Sequence, residues 1–330
     1  MLEADPTAGP IVRTPARAVD GVARALALPL ALAAAYLVVL GRLGLAGPFH
    51  WALAAIVVAS RLARPRVRSA LYDALPFAVF AAVYDLLRVA RRFVVARGVE
   101  VWRPYWFDQV VFGVGAHPDR LTLNELCARH HWPLVDFITG CAYLSYIYAV
   151  LGFALFIALV DRTPVGARRI RALGWTFLGV NVAASLTYLL YPVAPPWYAA
   201  AYGFGPVDPA TPASPAALVR WDALVGFPYF QHFYAHASDV FGSMPSMHCA
   251  YPALLLLFAL ELRRWPIIAS LALFQLLMAF SAIYLQHHYV ADVIVGVLYA
   301  LLGYAAERLI SGREPGGDPA ATPSAAPAPR

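Results

Sequence analysis

Eight long apolar stretches dominate this chain, at about residues 23–40, 46–60, 72–90, 134–160, 171–191, 247–262, 265–285 and 290–309. A helix needs ~20 apolar residues to cross the hydrocarbon of a bilayer, and most of these runs approach that length. Backbone N–H and C=O groups find no water there. A continuous apolar run must therefore satisfy them within itself, as a helix. With 61% hydrophobic and only 13% charged residues, a soluble globular domain of this length is excluded. The expected fold is all-α: a polytopic membrane helical bundle of about eight spans. The second run is short for a span and the fourth is long. The first is preceded by too many residues, and has too poor a cleavage site, for a secretory signal peptide.

All 25 basic residues are arginine. That bias fits a GC-rich bacterial genome, and so a plasma-membrane location. With the N-terminus in the cytoplasm, three arginine groups fall on cytoplasmic segments, as the positive-inside rule expects. They are Arg61 to Arg68, Arg162 to Arg171, and the pair Arg263 and Arg264. Arg42 and Arg220 fall on external loops. The arginines from Arg88 to Arg129 run against the rule, but their segment carries Trp102, Tyr105, Trp106 and Phe107. Those aromatics predict a stretch lying along the membrane surface. The net charge of +6 serves topology and contact with anionic lipid, and no nucleic-acid pattern accompanies it. Cys127, Cys141 and Cys249 are an odd set without paired spacing, which predicts no structural disulfide, no metal site and no cofactor.

Residues 1–21 and 311–330 are polar or rich in Pro and Ala, and are expected to be disordered tails around one membrane catalytic domain over 22–310. Its longest non-spanning stretch, 192–245, has prolines from Pro192 to Pro228 with aromatics among them. A loop of that length in a compact protein usually carries function, and its aromatic content predicts an ordered external lid.

The chemistry-bearing residues stand at the ends of apolar runs. His288 and Asp292 are four apart, one turn on a single helical face if the last span begins near Tyr289. A carboxylate there can accept a hydrogen bond from one ring nitrogen, fixing the tautomer and leaving the other nitrogen nucleophilic. By itself the pair could equally be a structural bridge between helix ends. His248, in Pro245-Ser246-Met247-His248, shifts the balance. It opens another span, where first-turn amides and the helix dipole make a phosphate cradle and Ser246 can add a donor. In the eight-span arrangement both span starts lie on one external side, so His248, His288 and Asp292 can converge.

Here the chain resembles the type 2 phosphatidic acid phosphatase superfamily, which carries Pro-Ser-Gly-His and Ser-Arg-x5-His-x3-Asp motifs. This chain has Met247 for the glycine and Ala282 for the arginine, and it lacks a clear Lys-x6-Arg-Pro element. A dianionic monoester wants several cations around it, whereas a diester needs fewer, so these departures weigh against simple monoester phosphatase chemistry. Over about residues 180–300 the chain is similar to the fungal inositol phosphorylceramide synthases, the aureobasidin-resistance family. The likeness lies in Tyr191 to Tyr198, Arg220 to Leu224, Phe241 to His248 and Tyr284 to Asp292, with Tyr84 to Arg88 extending it weakly. The resemblance implies a six-helix phosphatase-like core. It also implies transfer of a phospho-headgroup, phosphoinositol, from a phospholipid donor to a lipid-alcohol acceptor resembling ceramide. His288 would be the nucleophile, Asp292 its orienting acid, and His248 the acid and then the base.

Other side chains receive lesser roles. Tyr284, one turn before His288, could bond in the site or simply pack. Arg220 could hold phosphate with Asp222 as its partner or as a headgroup reader, and an exposed surface pair is as good an account. Trp197 and Tyr198 are expected at the interface first and as pocket walls second. His287 would point about 100° away from His288 on a helix. Asp73 and Asp85 should face the protein interior, with Asp85–Arg88 a structural pair. His130, His131, His232 and His236 have no assigned role. Two other functions stay open: a lipid phosphatase on the same fold, and a proton-coupled transporter or flippase.

Overall fold

The computed structural model describes residues 15–44, 46–65, 67–69, 71–80, 98–208, 210–235 and 240–312. Tyr84 to Arg88, Pro209, His236 and most of the two predicted tails lie outside the described residues. The chain divides into two compact units, residues 1–74 and 75–330.

In the first unit, α1 (Pro15–Leu43) packs against α2 (Pro48–Ser60). The Tyr36 hydroxyl lies 2.8 Å from His50 Nδ1 between them. Helix α1 begins at Pro15, so residues 15–21 belong to a helix and not to the expected tail. Proline is pre-set for a first turn and needs no N–H partner there.

The second unit holds α3 (Trp102–Phe112), α4 (Leu123–Arg129), α5 (Pro133–Val160), α6 (Pro164–Leu190), α7 (Pro196–Tyr202), α8 (Val219–Val225), α9 (Tyr229–Ala235), α10 (Met247–Leu260), α11 (Trp265–Tyr284) and α12 (Val290–Ser311). Local chemistry sets the starts: proline opens α5, α6 and α7, Thr163 caps α6 at its Val165 and Gly166 amides, and Thr122 with Glu125 forms a capping box on α4. Among the described residues, five helices are long and apolar enough to cross a membrane: Leu26–Leu43, Pro133–Val160, Pro164–Leu190, Trp265–Tyr284 and Val290–Ser311. Two shorter apolar helices, His50–Ser60 and Met247–Leu260, fall where the second and sixth spans were expected. Residues 71–80 of the third are helical. The fold is all-α and the protein is integral to the membrane.

Helix α10 is the hub, packed against α5, α6, α11 and α12. Its Cys249–Leu255 stretch is buried on every side, and with Phe153, Ile157, Leu173, Phe177 and Ala300 it makes the main core. Two close approaches depend on glycine. A Cβ on Gly296 of α12 would run into the Ser246 carbonyl at the head of α10, and one on Gly140 of α5 would strike the Trp221 ring. The head of α10, which bears His248, can lie against α12 because Gly296 lets the backbones touch.

The 192–245 segment is ordered as α7, a short 3-10 turn (Ala216–Leu218), α8 and α9. One strand-like bridge, Val193 with Gly242, ties its ends together: Val193 N donates to Phe241 O (2.9 Å) and Ser243 N to Val193 O (3.2 Å). Trp197 and Tyr198 correct the sequence expectation. They are 9% and 2% exposed, packed with Ala194 and Phe241 of this segment and with Val101 just ahead of α3, and so are not interfacial anchors. On α3, Trp102, Trp106 and Phe107 do face outward.

Candidate active site

The approach to the site begins at the end of α11. Gln286 takes a left-handed conformation (φ 70°), and the next two amides, of His287 and His288, both turn back onto the Ala282 carbonyl at 3.2 and 3.1 Å. The two histidines are thus in a tight turn, not on a helix, and α12 starts only after Tyr289. From α4, the Asn124 amide fixes the turn by donating to the Ile283 and His288 carbonyls at 2.9 and 3.0 Å.

His288 and His248 meet there, with His288 Nε2 3.3 Å from His248 Nδ1. His288 Nδ1 lies 2.9 Å from the Ser243 carbonyl oxygen. A carbonyl only accepts, so Nδ1 carries the proton, and in the neutral ring Nε2 carries the lone pair. This corrects the expected partner. Asp292 Oδ2 is 3.7 Å from His288 Nδ1, too far for a hydrogen bond. Asp292 Oδ2 instead accepts from the Ser243 hydroxyl (2.5 Å) and from the Tyr289 amide (2.9 Å). Ser243 therefore joins the pair, with its carbonyl on the imidazole and its hydroxyl on the carboxylate. Asp292 is fully buried and its Oδ1 has no hydrogen-bond partner. Its charge acts on the ring through space at close range, where low dielectric makes it effective.

Ser246 is fully buried at the N-cap of α10 but makes no side-chain cap, and its hydroxyl has no hydrogen-bond partner. Its amide, expected in the phosphate cradle, is taken: it donates to the Asp292 carbonyl at 2.9 Å. That bond stitches the start of α10 to the start of α12. The first-turn amides of Met247 and His248 remain without intrahelical acceptors, as at every helix start.

Several residues of the site carried no motif signal. Tyr143 of α5 stacks on His248, centroids 3.9 Å apart and planes 15° apart, with its hydroxyl 3.2 Å from Nδ1. Tyr146 covers the same ring at 4.1 Å. His287 is sandwiched between Tyr143 and Tyr234, each 5.1 Å away, and its Nε2 reaches the Pro215 carbonyl at 3.2 Å. Burial, with the neighbouring His288 adding to it, pushes His287 down to about 3. Asp108 of α3, fully buried, accepts the Ala291 amide at 3.0 Å, and burial raises its carboxyl to about 6. A serine just before the Pro-Ser-Met-His frame and a surface helix with one buried aspartate were the available signals.

Arg220, Asp222 and Tyr284 lie in other arrangements. Arg220 Nε pairs with the buried Asp136 at 2.7 Å, and its guanidinium lies over the Tyr284 ring at 5.1 Å. The Tyr284 hydroxyl donates to the same Asp136 oxygen at 2.9 Å and accepts the Trp132 amide. Asp222 does not pair with Arg220. It is 2% exposed, and its two oxygens accept the Phe230 and Gln231 amides that open α9. A carboxylate spent on capping and closed off from solvent cannot read a headgroup. His131, which had no role, stands 3.7 Å from Asp136.

Residues 118–306 match the model of the PAP2 superfamily. The chain belongs to the PAP2 superfamily. Its relatives there are similar over much of its length. Phosphoinositol dihydroceramide synthase of Bacteroides thetaiotaomicron is 34% identical over 77% of this chain and 82% of its own. The inositol phosphorylceramide synthase catalytic subunit of Schizosaccharomyces pombe is 26% identical over 75% of this chain and 56% of its own length. Inositol phosphorylceramide synthase of Candida albicans is 30% identical over 48% of this chain and 34% of its own. No solved structure matches the chain. As a PAP2 protein with these relatives, it is an integral-membrane phosphotransferase.

Proposed function

We propose that this protein moves phosphoinositol from a glycerophospholipid to the primary hydroxyl of a ceramide-type lipid through a phosphohistidine on His288. The proposal takes its substrates from the names of the relatives, inositol phosphorylceramide and phosphoinositol dihydroceramide synthases. The single observation that carries the chemistry is the 3.3 Å approach of His248 to a His288 ring whose Nδ1 is held on the Ser243 carbonyl.

In the first step His288 Nε2 attacks phosphorus, and the bond from phosphorus to the diacylglycerol oxygen breaks. His248, as imidazolium stacked on Tyr143, gives its proton to that oxygen, and diacylglycerol leaves neutral. The cationic phosphohistidine ring is balanced by Asp292 at 3.7 Å. In the second step the lipid hydroxyl gives its proton to His248 and attacks phosphorus, and the Nε2–phosphorus bond breaks. Met247 and His248 amides supply donors to the crowded phosphorus. Residues 22–310 act as one catalytic domain, and the 192–245 segment keeps water from the phosphohistidine. The site faces outward from a bacterial plasma membrane, where both lipids enter sideways. Arg220 and Tyr284 act at a remove, holding α8 and α11 to α5 through Asp136.

The test is a transfer assay on purified protein with labelled phosphatidylinositol and ceramide. His288→Ala is expected to lose at least about 1000-fold in turnover, as when a nucleophile is deleted, and His248→Ala to lose both half-reactions. Turnover retained in His288→Ala eliminates the phosphohistidine. Release of inositol phosphate at the same rate with and without ceramide makes the protein a hydrolase.

A further inference from the structure

We infer that Pro195 is a positioning residue for His288: having no N–H, it leaves the Ser243 carbonyl free to hold the proton-bearing Nδ1. The effect on turnover rests on the phosphohistidine reading above. The effect on the ring does not.

The register of three short extended segments places Pro195 opposite that carbonyl. Residues 192–195 run between Glu100 on one side and 241–243 on the other, and both pairings are parallel. Successive residues of this middle segment turn to opposite sides. Pro192 O accepts from Glu100 N (2.9 Å), and Ala194 N donates to Glu100 O (3.0 Å). Val193 turns the other way, with its N–H on Phe241 O (2.9 Å) and its carbonyl on Ser243 N (3.2 Å). Bonds in a parallel ladder are evenly spaced, so each step of two residues on one strand matches a step of two on its partner. The next bond here would therefore run from the nitrogen of residue 195 to the oxygen of Ser243. Position 195 is still extended, with φ −70° and ψ 161°. A proline there has nothing to donate.

Proline is ordinarily confined to edge strands, because in a middle strand it forfeits a ladder bond. Pro196 is accounted for by the start of α7, where a first-turn N–H needs no partner. Pro195 precedes that turn. The bond it forfeits is made by the imidazole instead, with His288 Nδ1 2.9 Å from the Ser243 oxygen. Ser243 and Pro195 are both buried, so bulk water does not compete for that oxygen. Any other residue at 195 would bring in a buried N–H, which has to find an acceptor. The register assigns it the oxygen that fixes the His288 tautomer. A carbonyl has two lone pairs, so the two donors would share it and the hold on the Nδ1 proton would weaken. A fraction of the rings would then carry the proton on Nε2, the nitrogen that must be bare to attack phosphorus.

The experiment compares two full-length variants that differ only in the donor. Pro195→Ala introduces the N–H. Lactic acid at position 195, placed by nonsense suppression, has the same methyl side chain with an ester oxygen in place of the N–H. Both lose the proline ring, so any stiffening by the ring cancels between them. The first readout is nitrogen NMR of isotope-labelled histidines in nanodiscs, with His288→Gln giving the assignment. His288 is expected to be protonated on Nδ1 in the parent and the ester, and partly on Nε2 in Pro195→Ala. The second readout is phosphoinositol transfer. The ester should turn over about 3- to 10-fold faster than Pro195→Ala at equal KM, the worth of one neutral hydrogen bond. Identical His288 spectra in the two variants overturn the role of Pro195, whatever the rates. A shifted tautomer with equal rates upholds Pro195 and removes His288 as the nucleophile.

Discussion

His288 and Asp292 do not touch: 3.7 Å separates the imidazole from the carboxylate, and Ser243 bonds to both. The proton on His288 Nδ1 is held by a backbone carbonyl, and the negative charge on Asp292 by a hydroxyl and an amide. Orientation and charge compensation, which one carboxylate supplies in a hydrogen-bonded His–Asp pair, are here divided between two groups.

That division predicts unequal effects. Ser243→Ala removes the hydroxyl from a buried carboxylate but leaves the carbonyl in place, so the His288 tautomer survives. Loss of such a supporting bond typically costs about 10–100-fold. Turnover should fall by that much with little change in KM. Asp292→Asn should lose more, because nothing else balances the cationic ring. Transfer kinetics of the two variants, side by side, check the order.

Tyr143 should act through its ring face more than its hydroxyl. It lies parallel to His248 at 3.9 Å, a geometry that supports an imidazolium. Tyr143→Phe keeps the stack and is expected within about 3-fold of the parent, given the modest worth of a single neutral hydrogen bond. Tyr143→Leu loses the stack and should drop turnover at least about 10-fold, with the acid limb of the pH–rate profile displaced. A profile from pH 5 to 9 for each variant separates the two.

His287 should give the protein an acid sensitivity. Its pKa is about 3 in the native state against 6.5 for an exposed imidazole. Between those values the unfolded chain binds a proton that the native state does not, so stability falls as pH falls through this window. Each pH unit below 6.5 costs up to about 1.4 kcal/mol from this residue. Asp108 has its pKa raised to about 6 and contributes the opposite slope above its ordinary 3.8, but it does so in parent and variant alike. His287→Gln, which keeps a donor for the Pro215 carbonyl, should therefore lose less melting temperature between pH 7 and pH 4 than the parent. Melting curves in detergent at the two pH values decide it.

Gly296→Ala should be worse than its size implies. The added methyl meets the Ser246 carbonyl, which is backbone and cannot rotate away. The start of α12 must back off from α10, stretching the Ser246–Asp292 bond and the His248–His288 contact together. Overpacking of this sort costs about 1–3 kcal/mol, and turnover should fall at least about 10-fold in protein that still folds. Measured melting temperature and transfer rate should drop together.

The helices were legible because a membrane span declares itself by length and apolarity, as in 265–285 against Trp265–Tyr284. The meeting of His248 with His288 was legible too, since each stands at or just before the start of an apolar run and the two starts come together. What escaped was whatever depends on the path of an irregular segment. Nothing in the spacing of His288 and Asp292 shows that a turn, not a helix, carries the histidine. Nothing near Arg220 points to Asp136, which is 84 residues upstream on α5. Trp197 and Tyr198 looked like interface aromatics by type, but the bridges of Val193 to Glu100 and Gly242 and the Trp197 amide on the Gln286 carbonyl fold their segment inward. Tyr143 and Asp108 sit in runs whose aromatic and apolar neighbours hide them.

The acceptor for His288 Nδ1 belongs to the main chain, and every amino acid at position 243 would supply the same oxygen. Codon changes there can weaken the carboxylate's support, yet none can by itself erase the instruction that tells the ring which nitrogen to leave bare. To lose that, the course of the polypeptide between Phe241 and Pro245 would have to be rerouted, a change that insertions and deletions make and point mutations seldom do.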